Sequence, residues 1–401
     1  MPRRNDTRLG SGNIETIRVT DETAEMDPDG FVPPAYPYDR LSELHELAGR
    51  DGRPVIDLSI GTPNDPPPRL VLDALAHSGS ERGYPPSTGT PEFREAAVGW
   101  LQRRLGATVG TAHVAACVGT KEFVAGLPHW LRLRSPSRDT VLYPEVSYPS
   151  YAMGAILAGC RAVSVPTDSE WRLDLEAIDP DDARRALCLW VNTPGNPAGG
   201  LDELGAVAEW GRDSDVPVFS DECYVEFTWS GDGAVPGMPP GRTILEHGTE
   251  GVVAVHSLSK RSNLAGLRVG FYAGDEELVS YLSEVRKHSG FMVPGPAQAA
   301  AVAALGDQVH DEAQRELYLE RMQIMAQLLG SMGVPTELPD GSFYLWVRAP
   351  GGDAWALARR LAEELGVVGS PGEFYGDAAA DHVRLAMVQP RAAIEPLAGL
   401  T

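Results

Sequence analysis

Long apolar runs are missing from this chain: no stretch of about 18 or more uninterrupted apolar residues occurs, so no membrane-spanning helix is expected. Cysteine is scarce. The four that occur, Cys117, Cys160, Cys188 and Cys223, lie far apart with no CxxC pair and no Cys/His cluster at zinc spacing, which argues against a disulfide framework or a structural metal site. Basic residues are in deficit, Lys plus Arg numbering 34 against 56 for Asp plus Glu, a formal charge of −22. Such a balance repels phosphate backbones and anionic headgroups, so neither nucleic acid nor a membrane surface is an expected partner. The first residues, MPRRNDTRLGSGNIETIRVTDETAEMDPDG, hold no apolar stretch of the secretory type, and a cytoplasmic location is the expectation. Also missing are a Walker lysine loop, a GxGxxG fingerprint, a GxSxG elbow and an HExxH helix, so nucleotide hydrolysis, nicotinamide redox chemistry, serine hydrolysis and zinc proteolysis lose support.

What is present is an ordinary globular composition, 401 residues with 43% apolar and 22% charged, enough for two or three domains. Residues 1–29 are polar without sustained periodicity and read as a flexible N-terminal arm. Beyond them short β-branched runs alternate with helical segments. HVAACVG precedes KEFVAGLPHWLRL, DTVLYP precedes PSYAMGAILAG, RALCLWVNTP precedes DELGAVAEWGRD, and VPVFSDE and GVVAVHS add two further runs. That alternation predicts an α/β fold, a mostly parallel sheet with helices on both faces. After Met292 a long helical stretch and the runs SFYLWVRAP, VVGSPGEFYG and HVRLAMVQP predict a small α+β unit. The expected division is a large domain over residues 55–291 and a small one from 30–54 and 292–401.

In such sheets ligands bind at the carboxyl ends of the strands. Here those ends are Gly119-Thr120-Lys121, Tyr143-Pro144 leading to Tyr148, Asn192 to Pro197, Ser220 to Tyr224, and His256 to Lys260. Five polar endings in succession point to one site. With DLSIGTPNDPPP, GYPPSTGTPEFREAAVGWL, VGTKEFVAGLP, YPEVSYPSY, SDECYVE, HSLSKRSNLAGLRVGF, RKHSGFMVPGPAQAA and PGEFYG, the chain from about Pro34 to Gln389 resembles the aminotransferase I/II family of fold-type I enzymes dependent on pyridoxal 5'-phosphate. Within that family it is most similar to the N-succinyldiaminopimelate aminotransferases of actinobacterial type.

The resemblance implies a seven-stranded-type sheet, a homodimer with shared active sites, and a role for each matching residue. Lys260 would form the Schiff base with the cofactor and then carry a proton as the freed amine. Asp221 would hold the protonated pyridine nitrogen, with a helix N-cap as its plainer reading. Tyr224 and Asn196 would donate to the ring oxygen, although Asn196 also suits a plain turn. Gly119, Thr120 and Lys121 open a helix for the phosphate, joined by Arg268 and Ser257. Tyr148 would stack on the ring, and Tyr84 would reach the phosphate of the neighbouring subunit or else pack in the core. Arg384 would grip the substrate α-carboxylate in two-pronged fashion, with backbone help from Gly61 or with Gly61 as a turn glycine. The implied reaction passes an amino group between N-succinyl-LL-2,6-diaminopimelate and 2-oxoglutarate. A β- or γ-elimination, replacement or carbon–carbon bond formation, for example on S-adenosylmethionine, is the alternative on the same cofactor. Both transamination partners are dicarboxylic, so a second cation should meet the distal group, with Lys287, Arg286 and Arg261 as candidates and His288 near the same mouth.

Overall fold

The computed structural model describes residues 31–34, 36–229 and 241–399, so the expected arm over residues 1–29 lies outside the described residues. Its strands in chain order are β1 (Ile56–Asp57), β2 (Val114–Cys117), β3 (Thr140–Pro144), β4 (Arg161–Val165), β5 (Ala186–Asn192), β6 (Val218–Asp221), β7 (Val252–Ser257) and β8 (Gly270–Gly274), then β9 (Tyr344–Arg348), β10 (Val367–Val368), β11 (Ser370–Pro371) and β12 (His382–Ala386). Seven of them make one sheet in the order β2-β8-β7-β6-β5-β3-β4. β8 is antiparallel to both neighbours, and the other six are parallel. The mostly parallel seven-stranded sheet expected from the sequence is therefore present.

The continuous apolar runs of these strands follow from burial on both faces. Along β7, Val252 and Ala254 enter one buried cluster and Val253 and Val255 the other; β6 divides Val218 and Phe219 in the same way. The first cluster is completed by Phe93, Trp100 and Leu101 of the helix Pro91–Leu105, the second by Phe123 and Leu127 of the helix Thr120–Arg134.

A third cluster gathers both ends of the chain: Leu41, Leu44 and Leu47 from the front, Met322 and Met325 from the helix Val309–Ser331, and Leu345, Leu361, Val367 and Val383 beyond. Its antiparallel sheet has the order β11-β12-β9. The expected large domain began at residue 55, yet the first strand does not join the seven-stranded sheet. β1 instead pairs with β10, Ile56 opposite Val367, and Ile56 and Leu58 sit in this third cluster. A two-residue strand is held by whichever partner covers its apolar side chains, and here that partner arrives some 300 residues later.

Behind the carboxyl end of β6 lies a buried charge cluster. Arg104, at the last turn of Pro91–Leu105, donates through Nη2 to Glu226 Oε2 at 2.7 Å and through Nη1 to Glu312 at 3.1 Å, while Trp100 Nε1 donates to Glu226 Oε1 at 3.2 Å. Glu226 thereby ties the turn that follows Asp221 to the helix beneath it. Removing one partner of a buried pair strands the other's charge. Glu226→Ala is therefore expected to lose about 3–5 kcal/mol of stability, measured as a lowered midpoint in urea unfolding; an unchanged midpoint would show that the pair carries nothing.

Candidate active site

Strand register assembles the site. In the antiparallel pair β2/β8, Cys117 faces Gly270, and continuing that register two residues along sets Gly119 against Arg268. Gly119 has φ +77°, and a Cβ there would collide with the Arg268 guanidinium, so only glycine leaves the cradle open. Gly119 is also the N-cap of Thr120–Arg134, so that helix points its free N–H groups at the same place. In the parallel strands, Asn192 lies beside Asp221 and Asp221 beside Val255, two residues short of Ser257. Ser257 then caps the short helix Leu258–Arg261, its hydroxyl accepting from Ser259 N at 3.1 Å, and this turn carries Lys260.

Asn192, Asp221, Ser257, Lys260 and Arg268 line a cavity of about 200 Å³, whereas Gly119 is not among its lining residues. Gly61, Thr120, Lys121, Tyr148, Asn196 and Asp221 belong to its walls, as do Tyr224, Ser257, Lys260, Arg268 and Arg384. Four cationic side chains thus surround a single carboxylate, Asp221, the reverse of the chain's overall balance.

The cations have few acidic partners. Arg384, 1% exposed on β12, donates through Nη1 to Asn196 Oδ1 at 2.7 Å and through Nη2 to Ser59 O at 2.5 Å. It stands over the rings of Tyr344 and Tyr375 at 4.3 and 4.7 Å. Its Nε has no hydrogen-bond partner among the described residues. Among the described residues Arg268 donates only to the Ala265 carbonyl, at 2.9 Å through Nη1. Lys260 Nζ donates to the Gly61 carbonyl. Burial, helped by Arg384 and Arg268 and opposed by Cys223 and Asp221, brings the Lys260 ammonium down to about 8. Lys121, at the exposed rim, faces the rings of Tyr36 and Tyr148 at 5.3 and 5.5 Å.

Asp221 is buried, and its pKa is raised by desolvation against the pull of its hydrogen bonds. Oδ2 accepts from Tyr151 OH at 2.9 Å and Oδ1 from Cys223 N at 3.2 Å. No lysine or arginine pairs with it among the described residues. Tyr224 shares a 2.8 Å hydrogen bond with Tyr344, and burial holds its hydroxyl protonated well above the usual phenol range.

Some expectations land elsewhere. Tyr84 does not reach the cavity of its own chain and is 98% exposed, which removes the core-packing alternative. None of the candidates for the distal cation lines the cavity. Arg286 is buried against Glu122, Arg261 against Asp311 and the Trp100 ring, and Lys287 pairs with Glu284 on the surface. His288 is exposed at a helix end outside the lining. The sequence reading missed Tyr151, which orients Asp221, and Tyr344 and Tyr375, which floor Arg384. It also left Asn192 without a role, although its Oδ1 accepts from Asn196 N at 2.8 Å and its Nδ2 donates to Asp221 O at 2.8 Å. The polar end of β5 carried that last signal.

Residues 53–399 match the family described as aminotransferase class I and II. Relatives include a probable aminotransferase of Mycobacterium tuberculosis, 41% identical over 94% of this chain and 88% of its own. Another is 4-dedimethylamino-4-oxo-anhydrotetracycline transaminase OxyQ of Streptomyces rimosus, 39% identical over 88% of this chain and 94% of its own. Among solved structures, a probable N-succinyldiaminopimelate aminotransferase of Thermus thermophilus superposes with a TM-score of 0.78 at 31% identity, covering 90% and 97% of the two chains. With the match spanning all three sheets and every strand end that lines the cavity, the chain belongs to the class I and II aminotransferases, enzymes that use pyridoxal phosphate.

Proposed function

We propose that the chain passes an amino group between 2-oxoglutarate and an L-amino acid bearing a distal anionic group, with N-succinyl-LL-2,6-diaminopimelate as that amino acid. The observation that carries the reading is the spread of cations without carboxylate partners among the described residues, from buried Arg384 to Lys121 at the exposed rim. A dicarboxylic substrate supplies two anions to such a cavity. The similarity to a probable N-succinyldiaminopimelate aminotransferase supports the same substrate.

The residues present fit pyridoxal phosphate: Gly119 leaves the space beside Arg268 that a side chain would fill, and Asp221 is a buried carboxyl without a cationic partner. When bound, the cofactor supplies an aldehyde carbon for amine capture and a protonated ring that draws electrons from the substrate α-carbon. Lys260 contributes a neutral amine, first to hold that aldehyde and then to move the α-proton. Asp221, steadied by Tyr151 and Cys223 N, holds the ring nitrogen in its protonated form. Asn196 turns Oδ1 to Arg384, which leaves its NH2 to donate to the ring oxygen together with the Tyr224 hydroxyl. Tyr148 covers one face of the ring, and Gly119, Thr120, Ser257 and Arg268 receive the phosphate. Arg384 takes the α-carboxylate next to Gly61. Tyr84, exposed in one chain, would complete the phosphate site of a second in a homodimer.

A second reading, a ketone on a larger ring system, draws on the tyrosines Tyr36, Tyr38 and Tyr148 in the lining and on the 39% identity to the tetracycline transaminase. Single-turnover conversion with a panel of amino donors separates the two. Donors with a distal carboxylate are expected to give the highest kcat/KM. Turnover of fused-ring substrates with none of any dicarboxylic donor would sink the first reading.

Three outcomes follow from these roles. Arg384→Gln is expected to lower kcat/KM about ten- to a hundredfold for every α-amino acid, the range set by loss of a charged hydrogen bond. Lys121→Gln should do so only for donors with a distal anion, leaving alanine unaffected; an equal loss for alanine would remove Lys121 from that role. The rate at which the apo-protein captures pyridoxal phosphate should rise with pH and level off above about 8, because the amine reacts only when neutral. A rate still climbing at pH ~10, as for an ordinary lysine, would contradict the burial of Lys260.

A further inference from the structure

Arg286 reads as a candidate for the distal substrate carboxylate, yet it lies away from the cavity, 1% exposed at the end of the helix Glu276–His288. Its guanidinium holds Glu122 in two-pronged fashion, Nη1 to Oε1 at 2.6 Å and Nη2 to Oε2 at 2.8 Å. The rings of Phe291, Phe123 and Tyr272 close around it at 5.1, 5.4 and 6.0 Å. Glu122 is in the first turn of Thr120–Arg134, and its Oε2 accepts from Val118 N at 3.3 Å, one residue before the cradle glycine.

This placement contains a conflict. A carboxylate in the first turn suits the helix itself, whose N-terminus favours negative charge. The same N-terminus, however, is where the cofactor phosphate is to be received, and a second anion one turn away repels it. Arg286 resolves the conflict, since pairing cancels the charge while Oε2, which accepts from Nη2, still accepts from Val118 N as well. The bidentate fork suits this better than a lysine would, because it locks both carboxylate oxygens at once.

We propose that Arg286 is a positioning residue for the phosphate cradle: through Glu122 it fixes the turn at Val118 and Gly119 and neutralises the charge facing the incoming phosphate. It touches neither substrate nor cofactor. The inference rests on the phosphate being received at Gly119, Thr120 and Arg268, as proposed above, and the experiment separates the two.

Equilibrium binding of pyridoxal phosphate and of phosphate-free pyridoxal to the apo-protein, followed by visible absorbance, reads the effect of the phosphate alone. Arg286→Gln is expected to weaken pyridoxal phosphate about thirtyfold, the upper range for a charge at a helix end, and to leave pyridoxal unchanged. The double variant Glu122→Gln with Arg286→Gln removes both charges while keeping an acceptor for Val118 N. It should recover affinity for pyridoxal phosphate to within a few fold. Arg268→Gln serves as the control for the placement. If Arg268→Gln loses the preference for the phosphorylated form and Arg286→Gln does not, the placement stands and the inference falls. If neither variant loses it, the placement falls and the inference with it. An equal loss of both ligands in Arg286→Gln would mean a general structural role and would also overturn the proposal. Should that single variant not fold, the double variant decides: affinity for pyridoxal phosphate near that of the parent supports the proposal, and a thirtyfold deficit overturns it.

Discussion

Positive charge gathered in a cavity without matching carboxylates is the constraint on which the rest of this structure depends. Lys260, Arg268, Arg384 and Lys121 face one Asp221. Removing cations from water without counter-ions is expensive, and the chain uses two different responses. The lysine at the centre yields its proton more readily, its pKa falling to about 8. The arginines keep theirs, so Arg384 must be held by acceptors that carry no net charge: the Ser59 carbonyl, the Asn196 amide oxygen and the faces of two tyrosine rings. A site so arranged is electrostatically complete only with anions in it, which is what a phosphorylated cofactor and carboxylate substrates supply. The −22 of the whole chain leaves this pocket untouched, since charges on the far surface are screened within about a Debye length.

Holding these groups within reach of one another falls to strand register. Parallel neighbours deliver Asn192 and Asp221 side by side at the same end of the sheet, and one antiparallel strand, β8, turns the chain back so that Arg268 meets Gly119. A slip of β2 by one residue along β8 would pair the guanidinium with a different backbone position and invert the faces of β2. Two-sided burial opposes it: exchanging Val114 and Ala115 of β2 between clusters would push a larger side chain where a smaller one fits and leave a void opposite. The precision of the site is thus inherited from the packing of residues that take no part in it.

The same division explains which parts were readable from sequence. Strand ends announce themselves, because a polar residue after a buried run has few other reasons to be there, and Lys260, Asp221, Asn196 and Thr120 all carried that mark. Tyr344 carried none: it starts a strand and reads as core, and only the return of β12 alongside β9 sets it beneath Arg384. Tyr151 is hidden likewise inside an apolar helix. Charge is the hardest to read. Arg286 and Arg261 sit in basic-looking segments, and nothing local reveals that Glu122 and Asp311, far away in sequence, already occupy them. The short β1 shows the same limit for backbone, since a two-residue strand carries no record of its partner.

Burial also sorts the groups around the cavity by what they can do with a proton. The low dielectric that makes the Lys260 ammonium easier to deprotonate makes phenols harder to ionise. Tyr224 and Tyr151 are pushed well above the ordinary range, and Tyr344 to about 12. The tyrosines consequently remain hydroxyl donors throughout the range in which the lysine changes state. Donors of fixed protonation can hold a ring oxygen or a carboxylate without competing for the proton in transfer, and an amine poised near neutrality can release and recover one. One physical cause, desolvation, therefore assigns opposite duties to the two residue types, and the arginines, charged at any working pH, are left to bind.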